Sequence, residues 1–357
     1  MTKSVARVSS GLWAGRRVLV TGHTGFKGAW LTLWLSRMGA HVVGVSLPPS
    51  TPSLFEAAGI RTLCDSRFID ITDGRAVRSV VEETQPEVVL HLAAQALVRA
   101  SYREPVATFA ANVQGTVHVL DAARRCEAVR AVVAITTDKV YRNLEEGFPF
   151  RETDALGGHD PYSASKAAAE MVIESYRKAY FAPRGVALAS ARAGNVIGGG
   201  DWAEDRLLPD AIRAWSREEV LEVRRPSATR PWQHVLEALS AYLCLAQALL
   251  ASPERASSFN FGPHSHEAAT VRQVIELAQA SFGAGRVAWG DGSEGPHEAG
   301  RLLLDVTRAR DLLGVQPRWT LAEAVGRTAS WYRRALAGES ARELCLTDIE
   351  AFDAAIG

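Results

Sequence analysis

The feature that most constrains this chain is an alternation. Through the first half, short and almost wholly apolar runs rich in β-branched residues take turns with helical patterns. Residues 17–21, 41–47, 67–71, 88–92, 131–136 and 185–191 read as six strands. The clearest helices between them are 25–38, 105–124 and 161–180. Strands that are apolar on both faces and joined through helices imply a parallel sheet covered on both sides. The fold class expected is α/β, a Rossmann-type doubly wound parallel sheet.

After Arg192 the pattern loosens. A glycine-rich stretch at 194–200 leads to a helix over 207–215, a strand over 220–223 and a helix over 231–250. Amphipathic helices follow at 270–281 and 321–336, with a short strand at 302–304. We expect a dinucleotide-binding domain over 13–191, to which 231–262 returns. Segments 192–230 and 263–336 form a smaller, mixed α/β substrate lobe, and 337–357 is a tail without a readable pattern.

Bulk composition excludes several classes. At 357 residues, 47% hydrophobic and 22% charged, the chain is globular in character. Lys plus Arg balance Asp plus Glu at 40 each, so no net field draws the chain to nucleic acid or an anionic membrane. The most apolar stretch, 238–251, is shorter than the ~20 residues a membrane span needs. Residues 1–13 lack the apolar core of a signal peptide. Cys64, Cys126, Cys244 and Cys345 form no CxxC pair and read as buried thiols in a reducing cytoplasm.

The loop after the first strand reads Thr21-Gly22-His23-Thr24-Gly25-Phe26-Lys27-Gly28. Glycines at this spacing allow a tight turn and a close approach of backbone to a pyrophosphate. The following helix amino terminus offers free N–H groups and a positive dipole end. The carboxylate that often ends the second strand is absent, and Ser46 stands near its place. A serine can bond a ribose but repels no 2′-phosphate, so NADP is less firmly excluded. Asp70 and Ile71, after the third strand, are candidates to frame the adenine.

The most informative stretch is Asp160-Pro161-Tyr162-Ser163-Ala164-Ser165-Lys166. Asp160 suits an N-cap and Pro161 the first helical position, so Tyr162 and Lys166 share one helix face a turn apart. A phenol titrates near 10, and an adjacent ammonium shifts it toward use as a base. Thr136-Thr137-Asp138-Lys139-Val140-Tyr141 ends the fifth strand, at the edge where parallel sheets meet their ligands. No His or Cys group has metal-ligand company, so no metal site is expected.

With these motifs the chain resembles the extended short-chain dehydrogenase/reductases from about Trp13 to about Ala335. Within them it is similar to the dehydratases that act on CDP-glucose. The blocks carrying the resemblance are the phosphate loop, His91-Leu92-Ala93-Ala94-Gln95, Thr136 to Lys139, Asp160 to Ser163, Arg192 to Trp202 and Arg230 to Val235. A related branch acting on dTDP-glucose carries Asp-Glu where this chain has Asp138-Lys139, and that departure favours the CDP branch.

The resemblance implies NAD as cofactor, held by Gly22, His23, Thr24, Gly25, Phe26, Gly28, Ser46, Asp70, Ile71, Leu92, Ala93, Ala94, Asn112, Thr136, Tyr162 and Lys166. It implies a nucleotide-sugar substrate, CDP-glucose, held by Gln95, Thr137, Asn195, Arg206, Arg230, His297 and Arg301. Catalysis would fall to Thr137, Asp138, Lys139, Tyr162 and Lys166. Tyr162 takes the 4-hydroxyl proton while hydride leaves carbon 4; Asp138 and Lys139 supply the acid and base for loss of water across carbons 5 and 6; hydride returns to carbon 6. Which of the pair is acid and which base stays open. The superfamily also implies a homodimer through helices 105–124 and 161–180, with Val113, Val117, Leu120, Met171 and Ile173 as apolar candidates.

Two rival readings remain. A nucleotide-sugar 4-epimerase would keep Thr137, Tyr162 and Lys166 but has no need of Asp138-Lys139. A catalytically silent dinucleotide-binding regulator could lose Tyr162 or Lys166, and this chain keeps both.

Overall fold

The computed structural model describes residues 5–292 and 300–355. Its centre is a seven-stranded, all-parallel sheet. The strands are β1 (Arg17–Thr21), β2 (His41–Ser46), β3 (Asp65–Phe68), β4 (Val88–His91), β5 (Ala131–Ile135) and β6 (Ala187–Ala193), with Ser258–Phe261 at the edge beyond β6. Their spatial order is β3-β2-β1-β4-β5-β6 and then Ser258–Phe261. The winding direction reverses between β1 and β4, which opens a crevice at their carboxyl ends.

Alternation of side chains divides each strand between two cores. Val18 and Val20 of β1 and Val133 of β5 face a core shared with the helices Phe26–Arg37 and Val235–Ala251. Leu19, Val132 and Leu188 face the opposite core, beneath Gly74–Thr84 and Gly115–Arg125. Val235–Ala251, the most apolar segment, is therefore a helix covered on nearly all sides. Among the described residues no helix is long and apolar enough to cross a membrane.

Several expectations need correction. β3 begins and ends earlier than the apolar run suggested, so Asp70 and Ile71 lie in the turn after it. Residues 302–304 are not a strand; only single bridges occur there, Arg301 to Thr229 and Leu304 to Phe150. The helix expected over 105–124 is interrupted by a π-helical turn, Ala110–Gln114. Residues 337–357 are no patternless tail. Ser340 caps a helix, Ala341–Ala354, whose Phe352 packs against Trp34 and Trp319 at ring distances of 6.0 and 5.0 Å. The smaller lobe is built from short pieces, including a parallel pair, Val220–Val223 with Arg286–Trp289, and the helices Leu207–Ser216 and Val271–Phe282.

Candidate active site

The phosphate loop is made by steric necessity. Gly22 has φ of 78°, and a Cβ there would lie 2.8 Å from the Ala93 nitrogen. A Cβ on Gly28 would lie 2.0 Å from the Gly22 carbonyl oxygen, so loop and helix touch backbone to backbone. Gly25 is the N-cap of the helix Phe26–Arg37, which leaves that helix's first N–H groups without partners inside the helix, next to a loop that touches Leu92 and Ala93 after β4. A backbone cradle that any side chain would fill, at a helix amino terminus, fits a dinucleotide pyrophosphate.

Around this cradle the polar side chains hold the loop. The His23 ring lies over Gly44, with Nε2 2.6 Å from the Ser66 hydroxyl, and burial pulls its pKa down to about 4. Thr24 donates to the Leu47 carbonyl at 3.0 Å and lies 2.7 Å from the Ser46 hydroxyl. The Ala93 N–H donates to Thr21, whose hydroxyl lies 2.7 Å from His91 Nδ1. His91 Nε2 meets Thr116, which donates to the Asn112 carbonyl at 2.7 Å. Because Thr116 donates onward, Nε2 carries the His91 proton and Thr21 donates to Nδ1. The His91 imidazole stays neutral, pushed down to about 3 by burial and then by Lys166.

The π-turn aims Asn112 inward. Its side-chain oxygen accepts from the Gln95 N–H at 2.8 Å, and its amide donates to the Gln95 carbonyl and to Ser165. Turns of this kind recur at functional sites. Gln95 itself, expected at the substrate, instead ties its own loop: it accepts from Leu97 N–H and donates to Thr108 and the Leu97 carbonyl. Asp70 and Ile71 lie in the turn after β3. Asp70 accepts from Thr72 N–H at 2.8 Å as a turn cap, and Ile71 is core, packed against Gly115. Leu92 and Ala94 lie on the half-buried stretch after β4.

Over this crevice β5 and the helix Pro161–Tyr176 bring the catalytic candidates together. Asp160 caps that helix, accepting from the Ser163 N–H at 2.9 Å, and Tyr162 N–H donates to Ser101 at 3.1 Å. Thr137 donates to Asp138 Oδ1 at 3.0 Å, and Lys139 donates to the same oxygen at 3.1 Å. Asp138 is fully buried, and its Oδ2, which borders Gly194, has no hydrogen-bond partner. Burial pushes the Tyr162 phenol up to about 12, while the Thr137 hydroxyl and Arg206 pull the other way. The Lys166 ammonium, one turn along the helix, donates to the Ile135 carbonyl at 3.3 Å and interacts with Glu170. Burial brings Lys166 down to about 8.

Neither Lys27 nor Tyr242 stood among the expected site residues. The Lys27 ammonium donates to the Tyr242 hydroxyl at 3.4 Å. Burial, with Arg206 and Lys166 nearby, lowers it to about 7, and Asp138 and Asp201 oppose that shift. Lys27 was legible as a charge inside a phosphate loop; Tyr242 lies in an apolar helix and carries no local signal. Of the expected substrate residues, Arg206 pairs with Asp201 at 2.9 Å and faces Tyr162. Asn195 has a buried Oδ1 without a hydrogen-bond partner. Arg230 is buried and donates to the carbonyls of Thr229 and Gly300. Arg301 is exposed and lies against Gly147. His297 lies outside the described residues.

A doubly wound sheet, a glycine cradle and a Thr-Tyr-Lys group at its mouth define a nucleotide-dependent enzyme of the dehydrogenase type. The chain belongs to the NAD dependent epimerase/dehydratase family, whose model matches residues 18–262. It is 45% identical over 339 residues to the CDP-glucose 4,6-dehydratase of Salmonella typhimurium, spanning 93% of this chain and 94% of that protein. A dTDP-glucose 4,6-dehydratase from Xanthomonas campestris is 28% identical, across 88% of this chain and 92% of that one. Among solved structures, UDP-glucose 4-epimerase of Thermus thermophilus in complex with NAD superposes with a TM-score of 0.76 at 25% identity, covering 89% and 99% of the two chains.

Proposed function

We propose that this chain is an NAD-dependent CDP-glucose 4,6-dehydratase, a hydro-lyase giving CDP-4-keto-6-deoxyglucose and water. The observation that carries this reading over an epimerase is Asp138 with Lys139. A fully buried carboxylate, one oxygen bonded to an ammonium and the other without a partner, stands beside Tyr162. A 4-epimerase has no proton to give a leaving hydroxyl and needs no such pair. The 45% identity to a CDP-glucose dehydratase supports the same branch.

Held by the glycine loop and the first turn of Phe26–Arg37, NAD would supply the hydride acceptor for carbon 4 and the hydride donor for carbon 6. The chain's own residues handle protons. Tyr162 takes the 4-hydroxyl proton, with Thr137 bonded to the same oxygen. Arg206 favours the phenolate, because a fixed cation stabilises the anionic form. One proton first passes from Lys139 to Asp138 along their shared hydrogen bond. Asp138, then an acid, gives a proton to the departing 6-hydroxyl, and Lys139, then an amine, takes the one on carbon 5, which restores the carboxylate and the ammonium. Asn195, Arg206 and Arg230 hold the substrate pyrophosphate; Arg suits this through its planar fork of donors. Gly22, Gly25, Gly28 and the first turn of Phe26–Arg37 hold that of NAD.

The enzyme is read as a cytoplasmic homodimer. Leu120 and Ile173 face the sheet and are buried, which removes them from the interface first expected. Met171, one of the residues expected there, is exposed, and Val106 and Phe109, exposed on the first of the two helical segments, join it, with Val106 83% exposed. Light scattering at micromolar concentration should give twice the chain mass; a monomer refutes the dimer. For the activity, the chain is incubated with NAD and CDP-, dTDP- or UDP-glucose. Mass spectrometry should find one water lost from CDP-glucose, and an unchanged sugar mass would support the epimerase.

A further inference from the structure

Tyr162, Lys166 and Glu170 occupy positions i, i+4 and i+8 of one helix, so they form a single stripe facing the sheet. All three are buried. Glu170 is held by four partners drawn from three strands or their ends. Thr136, just past β5, donates to it at 2.5 Å; Ser190 of β6 at 2.8 Å; Arg192 of β6 at 2.7 Å; and Ser258 of the edge strand at 3.4 Å. Arg192 is itself fixed, donating to the Tyr141 hydroxyl and the Glu152 carbonyl at 2.9 and 3.1 Å. Lys166 makes no direct ion pair with this carboxylate, its ammonium donating to the Ile135 carbonyl at 3.3 Å; it lies one helical turn before Glu170 on the same buried face, close enough to feel its charge.

We propose that Glu170 is a positioning residue for the hydride step: anchored by Thr136, Ser190 and Arg192, it supplies the countercharge that keeps Lys166 an ammonium beneath the catalytic tyrosine. This rests on the reading that Tyr162 and Lys166 serve the reaction.

The charged and titratable groups around Lys166 leave that task to Glu170. From β4, His91 is neutral. From the helix Phe26–Arg37, Lys27 carries the same charge and works against it. On its own helix Glu170 is the group that raises Lys166. Glu170 in turn stays ionised because Arg192, Thr136 and Ser190 outweigh its burial, and it also feels Glu174 and Arg177 farther along the helix. Arg192 lies across the carboxylate, so it holds Glu170 charged without replacing it.

The test compares Glu170→Gln, the double variant Glu170→Gln/Arg192→Met and Lys166→Met, each with NAD. The double variant removes both charges of the pair and avoids a stranded arginine. Circular dichroism checks the fold, and turnover and NAD affinity are each followed against pH. Without the carboxylate, Lys166 loses its proton at lower pH. The alkaline limb of both profiles should therefore move down by at least about one pH unit, a tenfold change in proton concentration, in either Glu170 variant that folds. A uniform loss at every pH, with the limb unmoved, would make Glu170 structural only and overturn the proposal; so would a native profile. If Lys166→Met keeps native turnover, the underlying reading of the site fails instead.

Discussion

Replacing Gly28 by alanine tests the cofactor cradle by one methyl group. The added Cβ would begin 2.0 Å from the Gly22 carbonyl oxygen, 2.7 Å from its carbon and 2.8 Å from the His23 Cα, all rigid backbone. Restoring even 3.0 Å moves helix and loop apart by about 1 Å. Gly22 cannot retreat, because its N–H donates to the Val45 carbonyl at 2.7 Å and its own face abuts Ala93. The displacement therefore falls on the loop and the first turn of the helix. Overpacking of this kind costs ~1–3 kcal/mol of stability. Donors moved by 1 Å lose at least one charge-assisted bond to phosphate, worth ~1.5–3 kcal/mol. NAD affinity should fall by roughly 10- to 100-fold. Titration calorimetry with NAD measures this directly, beside a thermal melt. Gly262→Ala is the control, since its Cβ would meet nothing closer than 3.8 Å. A Gly28→Ala variant that binds NAD within twofold of native would refute the cradle.

Other outcomes follow from the same geometry. Tyr162→Phe removes the proton acceptor at carbon 4 and should lower turnover by ~100-fold or more with the fold intact. Lys139→Met keeps the first oxidation and stops elimination, so reduced-nicotinamide absorbance should build up in a single turnover; loss of oxidation and elimination together would reduce Lys139 to a structural partner of Asp138. Glu237 gives a pH prediction. Burial raises its carboxyl to about 7, above an ordinary value of 4.5, so the folded state holds an extra proton between those values. Stability from this group is present at low pH and lost as pH rises through 7. Glu237→Gln keeps an oxygen for the Arg318 and Trp319 N–H groups and should stabilise the chain by about 3 kcal/mol at pH 8, with no gain at pH 4. Chemical denaturation at the two pH values decides it.

The fold was readable because its strongest elements declare themselves locally. β1, β4 and β5 are continuous apolar runs, and a glycine loop between strand and helix admits few alternatives. Asp160-Pro161 announced the start of the catalytic helix as a cap and first-turn proline do. What stayed hidden was tertiary. Asp70 and Gln95 were singled out by motif position, and each side chain also closes a bond within a few residues of itself, a geometry that residue type alone leaves open. Tyr242 reaches the site from a helix 80 residues past Tyr162, by the packing of that helix under the sheet. The helix Ala341–Ala354 was a missed signal of another kind. Ser340 followed by Glu343 and an apolar periodicity is a helix start, and Glu343 N–H does donate to Ser340 at 3.4 Å.

That last helix ties the two ends of the chain together. Phe352 closes on Trp34, and Arg342 donates to the carbonyls of Ala58 and Gly59 beside β3. Roughly 300 residues lie between the helix that carries the phosphate loop and the one that buttresses it. On a ribosome adding ~5–20 residues per second, the first helix waits roughly 15 to 60 seconds for its outer packing. Until then Trp34 lacks the ring contact that Phe352 supplies. The outer face of the helix that follows the phosphate loop is thus closed by one of the longest-range contacts in the fold, made across everything that lies between.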